Sequence, residues 1–474
     1  MSQSAFVISM LAVVAALGCG GRERGAGAGA ASGGGSSLGG ASTGAASGGG
    51  SSPGGAESGI GCAPAYGSSW GFASPDMGFG PAASDRQGNV AYMVDRTGTV
   101  DLQGNLANVL DHTTGIASRD AKGTLRWAQP SPWDGGAPLG APPIAPTADG
   151  GSFGATVSAV APVGDGGFFV AGEMTSSEGS TSFVSRLNSQ GAITWTQPLS
   201  ANSGRPSFLA FDGSDRLWVL GFSGAPSTDP NRPTTTFASL ALLGSDGRFV
   251  WQERFGDAQS FSFPLGLALT MDGHAVIALR AGGSLSIADP QADATANHGL
   301  LASFDADGTH AWSRAVGQLQ QEITSLAVAA NGTLYATGWN LPSAPGSTTA
   351  ADPFLIALSG DGTVRWRRTY SLGIAALDPK PMVAARPCGG LVIAAQNLTY
   401  MNNHDIPETL LIDVDDSGQE QRVRHVANAS ARIVAHGSDG IVLVGQFFGN
   451  LTFDSVQLSA TGVQGSAFVA RFLE

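Results

Sequence analysis

The segment Phe304-Asp305-Ala306-Asp307-Gly308-Thr309-His310-Ala311-Trp312 reads as an apolar strand, a tight turn and a second strand marked by tryptophan, and near-copies of it run through the chain. The Gly-x-x-x-Trp pair occurs as Gly123/Trp127, Gly191/Trp195, Gly247/Trp251, Gly308/Trp312 and Gly362/Trp366, and a sixth copy pairs Gly418 with Arg422. Successive turn glycines are 68, 56, 61, 54 and 56 residues apart. Self-similarity at a period near 50 is the mark of propeller blades or solenoid units. Between the copies lies a second hairpin, such as Leu326-Ala327-Val328, Asn331-Gly332, Leu334-Tyr335-Ala336. Turn dipeptides between period-two runs predict β-hairpins. Two hairpins per period make one four-stranded blade.

With strands lettered A to D from the axis outward, the A–B turns fall near Gly88, Gly166, Gly213, Gly273, Gly332, Gly389 and Gly440. That predicts seven blades, yet only six C–D turns carry the glycine. The last strand, Phe468-Val469-Ala470-Arg471-Phe472, matches a C strand such as Phe183-Val184-Ser185-Arg186-Leu187 and has no D strand after it. An unpaired edge is a liability that ring closure removes. Residues near 65–71, which include Tyr66-Gly67-Ser68-Ser69-Trp70, are therefore expected to supply the missing strand.

Phe183 to Trp195, Phe354 to Trp366 and the stretch Gly445-Gln446-Phe447-Phe448-Gly449-Asn450-Leu451-Thr452-Phe453 resemble the seven-bladed β-propeller repeat of bacterial surface and secreted proteins. The resemblance implies an all-β, seven-bladed ring over 63–474 with its last blade closed by both chain ends. It says little about activity, since one fold hosts many functions.

Ahead of the ring, Ala5 to Leu17 is an apolar run too short to span a bilayer comfortably, and it reads as the core of a signal peptide. Ala16-Leu17-Gly18-Cys19 resembles the lipobox of bacterial lipoproteins, which implies a signal peptide over 1–18 and lipidation at Cys19. An ordinary secretory peptide is the alternative. Residues 19–62 are mostly Gly, Ala and Ser, a composition that buries no core and behaves as a coil. About 40 such residues span roughly 35 Å end to end. The expected address is the outer membrane or cell surface, held by the lipid, with a secreted form as the alternative. A net charge of −13 and a pI near 4.9 argue against nucleic acid or an anionic membrane surface as partner.

Cys62 and Cys388 remain. In an exported protein two cysteines suggest a disulfide. In the expected strand order both fall on the face of the short turns, in neighbouring blades, and free thiols are the other reading.

That strand order puts D–A connections and B–C loops on one face, the top, and A–B and C–D turns on the other. The B–C segments differ in length and sequence (96–113, 173–181, 222–236, 281–298, 340–352, 397–408 and 447–466), and the longest connection, 129–155, is a D–A crossing rich in Pro and Gly. Variable loops on a rigid scaffold are where function concentrates. Candidate top-face residues are Trp133, Asp134, Arg232, Asp289, His298, Trp339, Asn402, His404 and Phe448. Trp133 and Trp339 are expected in exposed loops, as a stacking platform for a sugar or an anchor for a protein. The alternative is that each packs its own loop down. The repeat tryptophans are expected to pack between blades, and Trp218 to lie in the core.

Catalytic signals are few. Seven scattered histidines show no zinc spacing. Asp413-Val414-Asp415-Asp416-Ser417-Gly418 is similar to the start of a calcium loop, but Arg424 stands where a bidentate Glu belongs, and a plain turn is expected. The Gly-x-Ser-x-Gly matches at 35–39 and 50–54 lie in the tether, without the strand and helix a nucleophile needs. Quinoprotein dehydrogenases resemble the chain in Gly-x-x-x-Trp, but they imply eight blades and often a vicinal Cys pair that this sequence lacks. A polysaccharide-degrading enzyme would need paired carboxylates around the axis, and the inner strands are nearly free of them. The expectation is a monomeric, non-catalytic binding or scaffold module without cofactor or metal, directed at a protein or glycan partner. A propeller enzyme of the quinoprotein or polysaccharide-degrading type is the alternative.

Overall fold

Apolar runs such as Leu217-Trp218-Val219-Leu220 and Pro353–Leu358 are buried at every residue. A strand covered on both faces has no polar side to alternate with, which is why these runs are continuous. The computed structural model describes residues 70–75, 77–84, 89–96, 100–101, 106–107, 115–130, 154–176, 179–200, 203–213, 215–225, 235–256, 260–283, 285, 287, 298–316, 321–340, 352–370, 380–386, 389–401, 404–437, 440–453, 456–459 and 466–472. They form seven four-stranded antiparallel sheets and two small two-stranded ones, and no α-helix occurs among the described residues.

Blade 1 comprises Met77–Ser84, Val90–Arg96, Gly115–Arg119 and Leu125–Pro130, as strands A to D. Blade 2 is Gly154–Pro162, Phe168–Ser176, Gly179–Leu187 and Ile193–Pro198, and blade 3 is Arg205–Phe211, Arg216–Ala225, Thr235–Gly244 and Phe249–Phe255. Blade 4 runs through Phe261–Leu269, Ala275–Gly282, His298–Phe304 and His310–Val316, and blade 5 through Gln321–Val328, Leu334–Asn340, Pro353–Leu358 and Val364–Thr369. Met382–Ala385, Leu391–Met401, His404–Val414 and Glu420–Ala427 build blade 6. Blade 7 takes Ala429–Gly437, Gly440–Phe447 and Ser466–Phe472 from one end of the chain and its D strand, Trp70–Pro75, from the other. The closing pair runs antiparallel from Trp70↔Arg471 to Pro75↔Ser466. The expected closure is present, a few residues later than 65–71.

The core is distributed as seven apolar layers, one between each pair of neighbouring blades. The layer joining blade 7 to blade 1, with Val442, Val444 and Val469 against Val90, Tyr92 and Ala117, completes the circle. At the axis, six of the seven A strands carry a register shift against strand B. Such bulges bend a strand and raise its twist. At two of them the extra residue reaches the next blade, the Ser158 hydroxyl donating to the Pro206 carbonyl and the Thr324 hydroxyl to that of Pro381.

The C–D turns explain the repeat. Each is closed by a bond from the glycine N–H to the carbonyl three residues back, as in Gly191 to Asn188 at 2.9 Å. The glycines have φ near +80°, where a side chain is strained. They are also floors for the preceding blade: a Cβ on Gly191 would lie 2.6 Å from the Trp127 ring, and one on Gly362 2.6 Å from Trp312. The indole N–H groups then fasten the neighbour. Trp195 donates to Ser245, Trp251 to Ala306, Trp312 to Gly360 and Trp366 to Asp416, at 2.8–3.1 Å, always to the carbonyl two residues before the turn glycine. In the remaining two turns arginine does the same work: Arg126 reaches Ser189 at 3.3 Å, and Arg471 reaches Ala121 across the closure.

The sixth copy departs for a topological reason. Blade 7 takes its C and D strands from opposite ends of the chain, so no C–D turn offers blade 6 a glycine. Arg422 stands in the tryptophan register there, paired with Asp413 at 3.0 Å. Arg386 and Arg424 meet the same carboxylate at 2.7 and 2.8 Å. By backbone register, Trp70 opposite Arg471 matches Trp195 opposite Arg186, making it a further member of the repeat series.

Candidate functional site: a top-face cleft between blades 2 and 3

Two expected B–C loops are continued hairpins. In blade 2 pairing extends to Ser176↔Gly179, and in blade 6 to Met401↔His404, leaving two residues between the strands in each case. The described parts of the 173–181 and 397–408 segments are thus paired ribbons on the top face. The 447–466 segment contains a small hairpin, Asn450–Phe453 with Val456–Ser459, and 96–113 contains Val100–Asp101 with Leu106–Ala107.

The blade 2 ribbon forms one wall of a cleft of about 380 Å³ lined by Glu173, Ser180, Thr181, Ser182, Leu199, Ser200, Gly204, Arg205, Phe222, Ser223 and Gly224. Its other wall is the start of strand A and the end of strand B in blade 3. The strands approach closely there. A Cβ on Gly204 would lie 2.2 Å from the Phe222 carbonyl oxygen, and one on Gly221 2.6 Å from that of Arg205. Glycine at both positions lets Arg205 enter the strand at the rim.

Arg205 Nε meets Glu173 Oε2 at 2.7 Å, and the Ser180 hydroxyl donates to the other carboxylate oxygen. Glu173 is one-fifth exposed while Arg205 keeps 59% of its side chain in solvent. Ser200 and Ser203 donate to Gln252 Oε1 at 2.9 and 3.0 Å, which fixes the crossing from blade 2 to blade 3. Phe222 is half-buried and braced by Phe263, with ring centroids 5.1 Å apart. The result is a pre-formed concavity with hydroxyls, one balanced ion pair and an aromatic edge. Its volume falls within the range of small-molecule sites, while its lining is more polar than theirs usually is.

Trp133, Asp134, Arg232, Asp289 and Asn402 lie outside the described residues, as do Cys19, Cys62 and Cys388. The backbones of His298 and His404 open the C strands of blades 4 and 6. Phe448 is exposed on the top face, where its N–H donates to the Asn428 carbonyl at 2.9 Å. Trp339 is a correction: it lies within strand B of blade 5, paired with Pro353 and buried, because pairing runs further up the blade than the loop expectation allowed. Trp218 is wholly buried, as expected. Among the described residues, neither Trp339 nor Phe448 lines the cleft.

Glu173 and Arg205 were missed by sequence reasoning. They are 32 residues apart and meet only because two blades pack. One signal was available: Arg205 is a cation at the start of an inner strand, in a series of inner strands almost without charge. Among the described residues the first positions of the A strands carry Arg205 and, one place in, Glu322. No group of three His, Cys, Asp or Glu among the described residues is placed to hold a metal ion. The Asp413–Gly418 stretch is a strand end and a turn, with Asp415 accepting the Ser417 and Gln419 N–H groups at 2.9 Å.

No protein-family model matches the chain, and no curated protein matches it. Among solved structures it is similar to an acylaminoacyl peptidase of Pyrococcus horikoshii (11% identity, TM-score 0.45, 82% of this chain and 54% of that one). It is also similar to an apocarotenoid oxygenase of Synechocystis (13% identity, TM-score 0.39, 86% and 94%) and to the hydrazine synthase of Kuenenia stuttgartiensis (12% identity, TM-score 0.40, 61% and 76%). The chain spans about half the length of the peptidase. These likenesses carry no argument about activity. What stands on the strand pairing itself is that the chain folds as a seven-bladed β-propeller.

Proposed function

We propose that the chain is a lipid-tethered, non-catalytic binding module of the bacterial cell envelope, of the surface-protein propeller type that its repeat resembles, and that it receives its partner on the top face. The observation that carries this reading is the blade 2–3 cleft, a concavity pre-formed by two rigid sheets at the rim of that face. Among the described residues its lining is rich in hydroxyls and carries a single carboxylate, Glu173, a set suited to holding a polar ligand. The Gly/Ala/Ser tether and Cys19 support the envelope address.

Two measurements test it. The full chain applied to a glycan array, beside a pull-down from envelope extract, is expected to capture a partner that Ser223→Trp, which fills the cleft, releases. Capture unchanged by Ser223→Trp would remove the cleft from the reading. Radiolabelled palmitate fed to expressing cells is expected to enter the wild type and not Cys19→Ala; equal labelling of both would remove the lipid anchor.

A further inference from the structure

We infer that the occupant of the blade 2–3 cleft is a neutral saccharide, an inference that rests on the binding-module reading above. The first ground is charge. Arg205 and Glu173 neutralise one another at 2.7 Å, and Glu173 is additionally held by the Ser180 hydroxyl. An ionic ligand competes with this pair and leaves one partner uncompensated in a partly desolvated place, which is costly. A sugar hydroxyl has no such conflict, since it donates to the carboxylate edge and accepts from the guanidinium at once. Hydrogen bonds with one charged member are the strong ones. The chain's net charge of −13 adds a field that disfavours acidic sugars on approach.

The second ground is the remaining lining. Ser180, Ser182, Ser200 and Ser223 present groups that both donate and accept, matching the dual character of sugar hydroxyls. The third is Phe222. Its ring is braced by Phe263, so it offers a fixed apolar edge to the C–H face of a pyranose while the hydroxyls turn to the serines.

The test uses the full chain against matched panels of neutral gluco-, galacto- and manno-configured oligosaccharides, their uronate counterparts and unstructured peptides, read by calorimetry. A neutral oligosaccharide is expected to bind, with Kd rising about tenfold or more in Glu173→Gln, which removes a charge-assisted acceptor. Phe222→Ala is expected to weaken the same sugar, while Ser189→Ala, on the opposite face, leaves it unchanged. Unfolding midpoints of the variants separate lost binding from lost fold. Binding of uronates or peptides alone would overturn this inference and leave the binding-module reading standing. Neutral-sugar binding indifferent to Glu173→Gln, Phe222→Ala and Ser223→Trp would also overturn it, by moving the site. Absence of any partner, in this panel and in the envelope pull-down, would bring down both.

Discussion

Gly362 shows how little freedom the repeat allows a single residue. Its φ of +78° is unfavourable for any side chain, and an added Cβ would sit 2.6 Å from the Trp312 ring of the preceding blade. Gly362→Ala is expected to cost about 2–4 kcal/mol, combining left-handed backbone strain with overpacking. Urea denaturation of the variant beside the wild type measures it. Trp312→Phe keeps much of the ring but loses the donor to Gly360 and should cost less. Asp413 is the polar counterpart, a buried carboxylate facing three guanidinium groups. Asp413→Asn is expected to destabilise by about 3–5 kcal/mol, the range for leaving buried charge uncompensated; a smaller loss would mean that water reaches the cluster. The repeat tryptophans could be assigned from sequence because they recur at one place. Trp339 could not, since one residue beyond a visible strand is indistinguishable from a loop without knowing how far the ladder continues.

At the scale of the element, the C–D turns couple the fold to acid. The Asp361 carboxyl is held down to about 2, first by the Ser359 hydroxyl and then by the Thr363 N–H, and Asp415 is lowered by Ser417 and the Gln419 N–H. A depressed folded value means that the stabilisation is present above the ordinary carboxylate range and is lost as pH falls through the folded value. The turns of blades 5 and 6 are therefore expected to keep their caps at pH 5 and shed them toward pH 2. Carboxyl chemical shifts across an acid titration report this directly. A midpoint for Asp361 near 4 would contradict the capping geometry. The strands themselves were legible from apolar runs and turn glycines. The blade 2 ribbon was not, because Glu173 to Ser182 holds only Met174 as an apolar residue and shows no alternation. The cleft was illegible for a related reason: its walls belong to different blades, and no local spacing announces a contact made by packing.

For the whole molecule, the ring depends on a joint between remote parts of the chain. Removing Trp70–Pro75 would strip the partner from Ser466–Phe472 and expose a long strand edge, an invitation to aggregation. Such a truncation is expected to lose cooperative unfolding and to associate on size-exclusion chromatography. A circular permutant that joins Phe472 to Trp70 through a copied C–D turn is expected to elute with the wild type on size-exclusion chromatography and keep its unfolding midpoint. Trp70 also marks where the preceding chain enters: the D strands begin at the short-turn face, opposite the cleft. With the protein anchored through that segment and a load applied to its occupant, tension runs along the closing strand rather than across it. The ladder from Trp70↔Arg471 to Pro75↔Ser466 would then resist in shear, all rungs strained together instead of opening one after another, and under such a load the joint that closes the ring would serve as its mechanical clasp.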